Sequence, residues 1–475
     1  MSLYLWVLIL YLASLLVLGF IASRQVKHAS DFFVASRKLG TGLLFSTLLA
    51  ANIGAGSTIG AAGLGYQHGL SASWWVGSAG VGSLLLALTL APRIWRIAAA
   101  HNFLTVGDYL EYRYDHTVRR MIAGLLWLGS LAILAGQLIA MAWILEVVAQ
   151  APKWLGCLLG GLVVTGYFSL GGLLSSAWVN AVQLAIKLAG FLLSVPFALH
   201  IAGGWEKVTS QLASQPSISN GLEHYLSLTG THAEIFSYLA LLVPAFLVSP
   251  GILQKVYAAK DARVARRGVL LNALGLFLFA SLPPLLGVIA HGLYPQLQNQ
   301  ELALPTLMVH QMPFWLGALA LAAIFSAELS AADAVLAMLS TSFARDWVQG
   351  YWRPEMDPKN LLGVTRIVSA AAGLFGALLA LWLPNVVSAL QIFYGLLTAA
   401  LFVPLVFGLY WKGPTPRAAL AAIVAGVTST SCLQAFSGGG LGPLSPVVCG
   451  IAAAGITMTL VVWWQNGVGT ARVGS

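Results

Sequence analysis

Charged residues are scarce in this chain. Asp, Glu, Lys and Arg make up 8% of its 475 residues, whereas soluble proteins carry about 25%, so the composition excludes a soluble globular protein. Cysteine is scarce as well. The three cysteines lie in or beside apolar segments without metal-ligand spacing, and they are expected to pack as small apolar side chains; they are Cys157, Cys432 and Cys449.

Apolar residues fill most of the chain instead. They account for 59% of the sequence, and they are gathered into runs of about 20 residues, the length that a helix needs to cross a bilayer. The pattern predicts an all-α polytopic membrane protein with about 13 transmembrane helices. The predicted spans are 3–23, 41–64, 70–92, 119–149, 152–170, 177–200, 236–257, 268–293, 314–343, 362–383, 386–411, 415–435 and 443–465.

Lysine and arginine are divided unevenly between the two ends of these spans. No basic residue precedes the first span, and Arg24, Lys27, Arg37 and Lys38 follow it. Because cytoplasmic loops hold the excess of basic residues, this predicts the N-terminus outside and the C-terminus inside, with 21 of the 24 basic residues on the inner side. The net charge of +9 is therefore interpreted as a topology signal, and nucleic acid is not expected as a partner.

The run from Ala50 to Gly60 is apolar enough for a bilayer but poorly suited to a continuous helix. Gly54, Gly56 and Gly60 each cost about 1 kcal/mol in a helix relative to alanine, and backbone groups that are freed in lipid need another partner. One interpretation is a discontinuous helix that lines a binding cavity. The other is a continuous helix whose small residues, Gly56 and Gly60, pack against a neighbouring helix.

The seventh span contains a second candidate interruption, at Pro244, Ser249, Pro250 and Gly251, because proline removes a helix hydrogen bond and clashes with the previous turn. Spans two to six and seven to eleven then form two five-helix sets, and the second set runs inverted because five is odd. Inverted repeats with discontinuous first helices are typical of transporters that bind solute and ion at the breaks. The pairing therefore favours a discontinuous second span.

The predicted organisation has five parts. A first helix with its inner loop is followed by a first five-helix repeat, an outer loop, a second, inverted repeat, and two peripheral helices with a short tail. No soluble output domain is expected after the last span. The boundaries of the five parts are 1–40, 41–200, 201–235, 236–411 and 412–475.

The ninth span offers oxygen ligands on one helix face. Ser326, Ser330 and Asp333 recur at i, i+4 and i+7, and a hard cation prefers hydroxyl, carboxylate and carbonyl oxygens. The alternative is that each serine hydroxyl bonds back to the carbonyl four residues earlier in its own helix.

Several short motifs together resemble the sodium/solute symporter family, which has the inverted-repeat fold of the bacterial leucine transporter. The resemblance extends over about residues 30–420. It implies about thirteen helices with the N-terminus outside, in agreement with the charge pattern. The motifs are Asp31–Arg37, Ala50–Gly60, Thr105–Leu110, Gly171–Leu173, Ala258–Ala262, Ser330–Asp333, Ala344–Asp346 and Gly408–Lys412.

The resemblance also implies a principal sodium site. The family uses a pair of adjacent hydroxyls there, and the second of them is missing in this chain, where Ala331 stands; water or Asp333 is expected to complete the site. Asn180 aligns with an aspartate of members that bind an additional sodium, so no second sodium is expected. The aligned sodium ligands are the carbonyls of Ala50, Ile53 and Ala327 and the hydroxyl of Ser330.

The substrate pocket is expected beside the two interruptions. Positions that are polar in sugar-carrying relatives are apolar here, as at Val76, Ala79, Leu242 and Ala245, which favours an amino acid or a carboxylate over a sugar. No arginine lies in the predicted pocket, so a carboxylate is expected to depend on backbone donors at the breaks. The predicted substrate-binding residues are Asn52, Ser57, Thr58, Ser249 and Gln391.

Two charged residues fall near the middle of spans, Lys187 in the sixth and Glu328 in the ninth. Charges at that depth are costly and need a partner, so the two are predicted to pair with each other. The pair is interpreted either as a structural lock or as part of ion coupling. A sharper alternative is that Lys187 takes the place of the cation, as in some sodium-independent relatives of this fold.

These observations predict a secondary active transporter of the cytoplasmic membrane that carries a small organic solute together with a sodium ion by alternating access. The expected partners are the solute, sodium and the lipid bilayer, and sodium is cargo rather than a prosthetic group. The alternatives are a proton-coupled or sodium-independent transporter that uses Lys187, and, more remotely, a transporter-like membrane sensor. An enzyme is not expected, because the histidines lie mostly in loops or at span ends without a catalytic set.

Overall fold

A computed structural model gives the structure of the chain. It describes residues 3–23, 34–169, 172–215, 218, 221–230, 232–353, 355–437 and 445–473. Parts of two motifs, Asp31–Phe33 and Gly171, and the basic residues Arg24 and Lys27 lie outside the described residues.

The described chain is almost entirely helical, because an apolar segment in lipid satisfies its backbone most simply within a helix. The first helices are α1 (Leu3–Ser23), α2 (Thr41–Asn52), α3 (Ile59–His68), α4 (Ser73–Leu85), α5 (Ala91–His101), α6 (Val106–Arg113), α7 (His116–Ala149), α8 (Lys153–Ser169), α9 (Gly172–Ile201), α10 (Trp205–Ala213) and α11 (Leu222–Tyr225). The second group is α12 (His232–Val248), α13 (Pro250–Tyr257), α14 (Ala262–Phe279), α15 (Leu282–Leu293), α16 (Ala303–His310), α17 (Phe314–Ser342), α18 (Pro358–Trp382), α19 (Val386–Tyr410), α20 (Pro416–Ser437) and α21 (Pro446–Val473).

Every predicted span coincides with one helix or with two consecutive helices. Among the described residues, eleven helical stretches are long and apolar enough to cross a membrane, and Thr41–Asn52 and Lys153–Gly166 are shorter apolar helices. The all-α membrane fold is therefore confirmed. The exact number of crossings, the orientation of the termini and the boundaries of the five parts stay predictions.

The second predicted span is discontinuous, as expected. α2 ends at Asn52, and the backbone then leaves helical geometry at Ile53 (ψ 89°) and Gly54 (φ −131°, ψ −159°) before α3 begins. Close packing requires the glycine at position 54. A Cβ there would lie 2.5 Å from Cβ of Ala331 and 2.8 Å from Oε1 of Gln137, distances that real Cβ atoms do not adopt.

The seventh predicted span is interrupted later than the sequence suggests. α12 continues through Pro244 to Val248, and α13 begins at Pro250, with Ser249 between them. The assignment of Pro244 to the interruption is therefore wrong. The break falls at Ser249 because a proline in the first turn of a helix loses no hydrogen bond, so Pro250 can start α13.

α9 packs against both α2 and α17, and it turns a polar face toward them. Ser176, Asn180, Gln183 and Lys187 follow one another at helical spacing, and all four side chains are buried. This face places one lysine between the end of α2 and the middle of α17.

Main-chain hydrogen bonds join the two broken helices at their predicted inner ends. Leu39 N donates to Ala258 O at 3.1 Å, and Lys260 N donates to Leu39 O at 3.0 Å. The residues before α2 are thus fastened to those after α13. Arg37 reinforces this bridge by donating to the carbonyls of Ala98, Phe103 and Tyr257.

An ion network centred on Arg119 lies near the same end of the bundle. Its Nη2 is 2.7 Å from Asp346 Oδ1 and 3.0 Å from Asp108 Oδ1, and its Nη1 pairs with Glu111. Arg119, Asp108 and Asp346 are buried. The network connects α6 and α7 with the π-helical extension of α17, Phe343–Trp352.

Candidate functional site

The break after α2 frees two buried carbonyls, those of Ala50 and Ile53. In a continuous helix Ile53 O would accept from the N–H of Ser57, but Ser57 N donates to Gly54 O at 2.9 Å. Both carbonyls therefore need partners outside their own helix.

The ammonium group of Lys187 supplies those partners. Nζ lies 2.6 Å from Ala50 O, 3.1 Å from Ile53 O and 2.5 Å from Ser330 Oγ. An ammonium has three N–H donors and no acceptor, so these three oxygens satisfy all of its hydrogen bonds. Lys187 and Ser330 are both fully buried, and the site closes around the ammonium.

The structure brings together three of the four atoms predicted to bind sodium, and it places Lys187 Nζ between them. The fourth, Ala327 O, accepts from Ser330 Oγ at 3.2 Å. Ala331, where the second hydroxyl is missing, packs against Gly54 at the break.

Lys187 and Glu328, which the sequence predicts to pair, act on each other electrostatically but form no direct ion pair among the described residues. The three donors of Lys187 are used by the carbonyls of the break and by Ser330. Glu328 Oε1 accepts from Thr58 Oγ1 at 2.7 Å. Glu328 thus reaches the start of α3 while Lys187 reaches the end of α2. Glu328 is fully buried, and its Oε2 has no partner among the described residues.

Asp333 and Asn180 belong to a neighbouring polar cluster. Ser176 Oγ donates to Asp333 Oδ2, and Asn180 Nδ2 donates to Thr47 Oγ1 at 3.1 Å. The sequence suggested that Asp333 could complete the site around Ala50. In the structure Asp333 does not contact that site. Ser326 follows the alternative considered for it and donates to Ala322 O at 2.7 Å.

A cavity lies between the two helix breaks. The broken segments, α7, α17 and α19 all contribute to its wall. The polar residues that line it are Asn52, Ser57, Gln137, Ser249 and Lys255. The large apolar and aromatic residues that line it are Ile133, Phe246, Ile252, Val335, Met338, Leu390, Phe393 and Tyr394.

Three predicted substrate residues line this cavity, and two do not. Asn52, Ser57 and Ser249 face it. Thr58 is fully buried against Glu328 instead. Gln391 is exposed, because α19 turns Leu390, Phe393 and Tyr394 toward the cavity and a residue directly after Leu390 lies about 100° around the helix.

The sequence-based prediction missed two polar residues of the cavity, Lys255 and Gln137. Lys255 follows Gly251 by four residues and so shares its helix face, but the charge pattern assigns it only to the inner side together with the other basic residues. Its side chain is 5% exposed, and no described residue forms a hydrogen bond or ion pair with Nζ; Asp333 acts on it electrostatically. Gln137, in the middle of α7, accepts from Ala55 N through Oε1 at 2.9 Å.

Glu301 holds the N-terminus of α19 in place. Its carboxylate accepts from Val386 N at 2.8 Å and from Trp143 Nε1 at 2.8 Å, which places a negative charge at the N-terminus of α19. Burial nevertheless raises the pKa of Glu301, since desolvation outweighs these donors. Glu301 thus positions the helix that supplies much of the apolar wall.

A sequence model of the sodium:solute symporter family matches residues 32–426. Among individual relatives, the sodium/pantothenate symporter of Escherichia coli is 27% identical over 422 residues, which cover 84% of this chain and 83% of the relative. The sodium/proline symporter of the same organism is 24% identical over 462 residues, with 92% and 88% covered.

Solved structures share the fold. A Na⁺-coupled sialic acid symporter in a substrate-bound outward-open state superposes with a TM-score of 0.81, at 19% identity and with 97% of each chain covered. A transporter of the nucleobase-cation-symport-1 family in a closed conformation gives a TM-score of 0.63 at 16% identity, with 91% of this chain and 94% of that chain covered.

Proposed function

The chain belongs to the sodium:solute symporter family, and we propose that its solute is a small organic carboxylate bound in the cavity between the two helix breaks. Its function is that of the family, sodium-coupled symport of a small organic solute, and it is not an enzyme. It is a multi-pass membrane protein, and we place it in the cytoplasmic membrane.

The position of Lys255 carries this proposal. A buried ammonium that lines a cavity and has no hydrogen-bonded partner among the described residues is suited to bind an anion. It lies on α13, whose first turn, at Ser249 and Gly251, also lines the cavity, and a helix N-terminus favours negative charge. A carboxylate between Lys255 and this turn would find both a cation and backbone donors.

The rest of the cavity supports a mainly apolar solute with few polar groups. Phe246, Phe393 and Tyr394 form much of the wall, and such a wall leaves a ring of sugar hydroxyls without partners. The two related symporters named for pantothenate and proline carry solutes with a carboxylate. Asn52 Nδ2 already donates to Asn272 Oδ1 at 3.0 Å, and Ser57 Oγ donates to Asn52 O at 2.8 Å, which leaves the Ser249 hydroxyl to donate to the solute's other polar groups.

Binding to the purified protein tests the proposal. We expect pantothenate, proline or another small carboxylate to raise the melting temperature in sodium chloride, since a ligand of the folded state stabilises it. The analogues pantothenol and prolinamide, which lack the carboxylate, are expected to have no effect. Lys255→Met removes the cation and is expected to weaken carboxylate binding at least about tenfold.

Lys260→Met provides the matched control, because Lys260 is exposed beyond the end of α13. It is expected to leave the carboxylate's effect unchanged. Stabilisation by glucose, or by a carboxylate whose effect survives Lys255→Met, would contradict the proposal.

A further inference from the structure

We propose that Lys187 replaces the sodium ion at the break between α2 and α3, so that sodium does not bind between Ala50, Ile53 and Ser330 in this chain. The proposal does not depend on the chemistry of the solute. It concerns one cation position, and it leaves the family's symport function to be tested separately.

The contacts of the ammonium are those expected of a bound cation. Two carbonyls and one hydroxyl converge on Nζ at 2.5 to 3.1 Å, and each of these oxygens is among the sodium ligands that the family resemblance implies. Ser330 Oγ also lies 2.8 Å from Ala50 O and 3.2 Å from Ala327 O. The hydroxyl of Ser330 thus connects the ammonium with both α2 and α17.

A sodium ion has no room beside this ammonium. The three oxygens that would bind it are already within hydrogen-bond distance of Nζ, so an ion on the same oxygens would be in contact with a second positive charge. Like charges repel strongly where water is excluded, and Lys187 and Ser330 are fully buried. Sodium and the ammonium therefore exclude each other.

Lys187 also joins the elements that a cation at this position would join. Its backbone belongs to α9, its carbonyl partners to the end of α2, and its hydroxyl partner to α17. The broken helix is consequently held against α9 and α17 by a cation that is part of the chain. The missing hydroxyl at Ala331 fits this role, since an ammonium needs only three acceptors.

The melting temperature of the purified, solute-free protein tests this in sodium, potassium and choline chloride at equal concentration. We expect Ser330→Ala to leave any sodium-dependent rise in the melting temperature of the wild type unchanged, because the proposal excludes sodium from this position alone. Lys187→Ala should melt lower and be raised selectively by sodium, because the three oxygens are then free. Adding Ser330→Ala to Lys187→Ala should abolish that sodium effect.

Gln183→Ala is the matched control, because Gln183 is a buried polar residue one turn earlier on the same face of α9, with no hydrogen bond among the described residues. It should create no sodium effect. A folded Lys187→Ala protein without sodium-selective stabilisation would overturn the proposal.

Direct binding of radioactive sodium to the wild type decides the question if Lys187→Ala does not fold. Sodium binding that Ser330→Ala abolishes would overturn the proposal. The absence of sodium binding, or binding that Ser330→Ala leaves unchanged, would support it, because sodium is then absent from this position.

Discussion

Gln137 illustrates how one buried side chain can stabilise an interrupted helix. Its Oε1 accepts from Ala55 N at 2.9 Å inside the break, where no helical carbonyl is available to that N–H. A buried N–H without a partner costs about 1–3 kcal/mol. This polar residue in the largely apolar middle of α7 therefore stabilises the broken helix rather than its own.

We expect Gln137→Leu to lower the free energy of unfolding by about 1–3 kcal/mol, because it leaves Ala55 N unsatisfied in a buried position. Denaturant titration in detergent measures the change. Gln183→Leu is the comparison, since both polar atoms of Gln183 are buried without a hydrogen-bond partner among the described residues. It should be neutral or stabilising, and an equal loss for both variants would contradict this interpretation.

Single residues also mark the limit of what the sequence can predict. Asn52, Ser57 and Ser249 are found at the cavity because they lie at interruptions that glycine and proline reveal. Gln391 is misplaced and Lys255 is missed, because whether their side chains reach the cavity depends on the rotation of α19 and α13 about their axes. A sequence without helix contacts does not fix that rotation when a helix is apolar on all sides.

At the scale of a helix, the break between α2 and α3 depends on close approach. Gly54 lies against Ala331 and Gln137. Among the described residues beyond the backbone of its own helix, nothing lies within 4 Å of the place where a Cβ of Gly42, near the start of α2, would be. The two glycines of one segment thus have different roles. Gly54 permits close packing at the break, whereas the packing around Gly42 does not require a glycine.

Gly54→Ala should destabilise the protein and weaken solute binding, because the added Cβ forces Ala331 or Gln137 to move; overpacking of this kind costs about 1–3 kcal/mol. Gly42→Ala should be neutral or stabilise by up to about 1 kcal/mol, as alanine is the better helix former. Melting temperature and solute affinity check both variants. Equal tolerance of both substitutions would contradict this prediction, because it would show that the added Cβ fits at the break.

The two interrupted helices show why some elements were predictable and others only in part. Both interruptions were visible in the sequence because glycine and proline act locally on the backbone. The sequence did not reveal where α12 ends, because Pro244 is accommodated within the helix. Neighbouring helices can satisfy the carbonyl that a proline frees, and those neighbours are not visible in one segment of sequence.

At the scale of the whole molecule, Arg119 is the point where distant segments meet. It binds Asp108 and Asp346, which are separated by more than two hundred residues in sequence. The charge pattern predicted an inner side rich in basic residues, but it did not predict that one of them would be buried. Long-range pairing of this kind follows from the complete packing of the bundle.

We expect Arg119→Gln to cost about 3–5 kcal/mol of stability, because it leaves buried Asp346 without its cation and leaves Asp108 with Arg345 alone, at 3.5 Å. Adding Asp346→Asn should recover part of the loss. Arg120→Gln is the control, since Arg120 is half-buried over the ring of Tyr351 and a contact of this kind contributes about 0.5–1 kcal/mol. Unfolding in denaturant compares the three; similar losses for Arg119→Gln and Arg120→Gln would refute the assignment.

The ammonium of Lys187 has an electrical consequence. A sodium ion released on the far side of the membrane carries a charge through the membrane potential, which is worth about 2.3 kcal/mol per 100 mV. A lysine returns with the protein at the end of every cycle. This position therefore contributes no net current to transport, whatever the voltage across the bilayer.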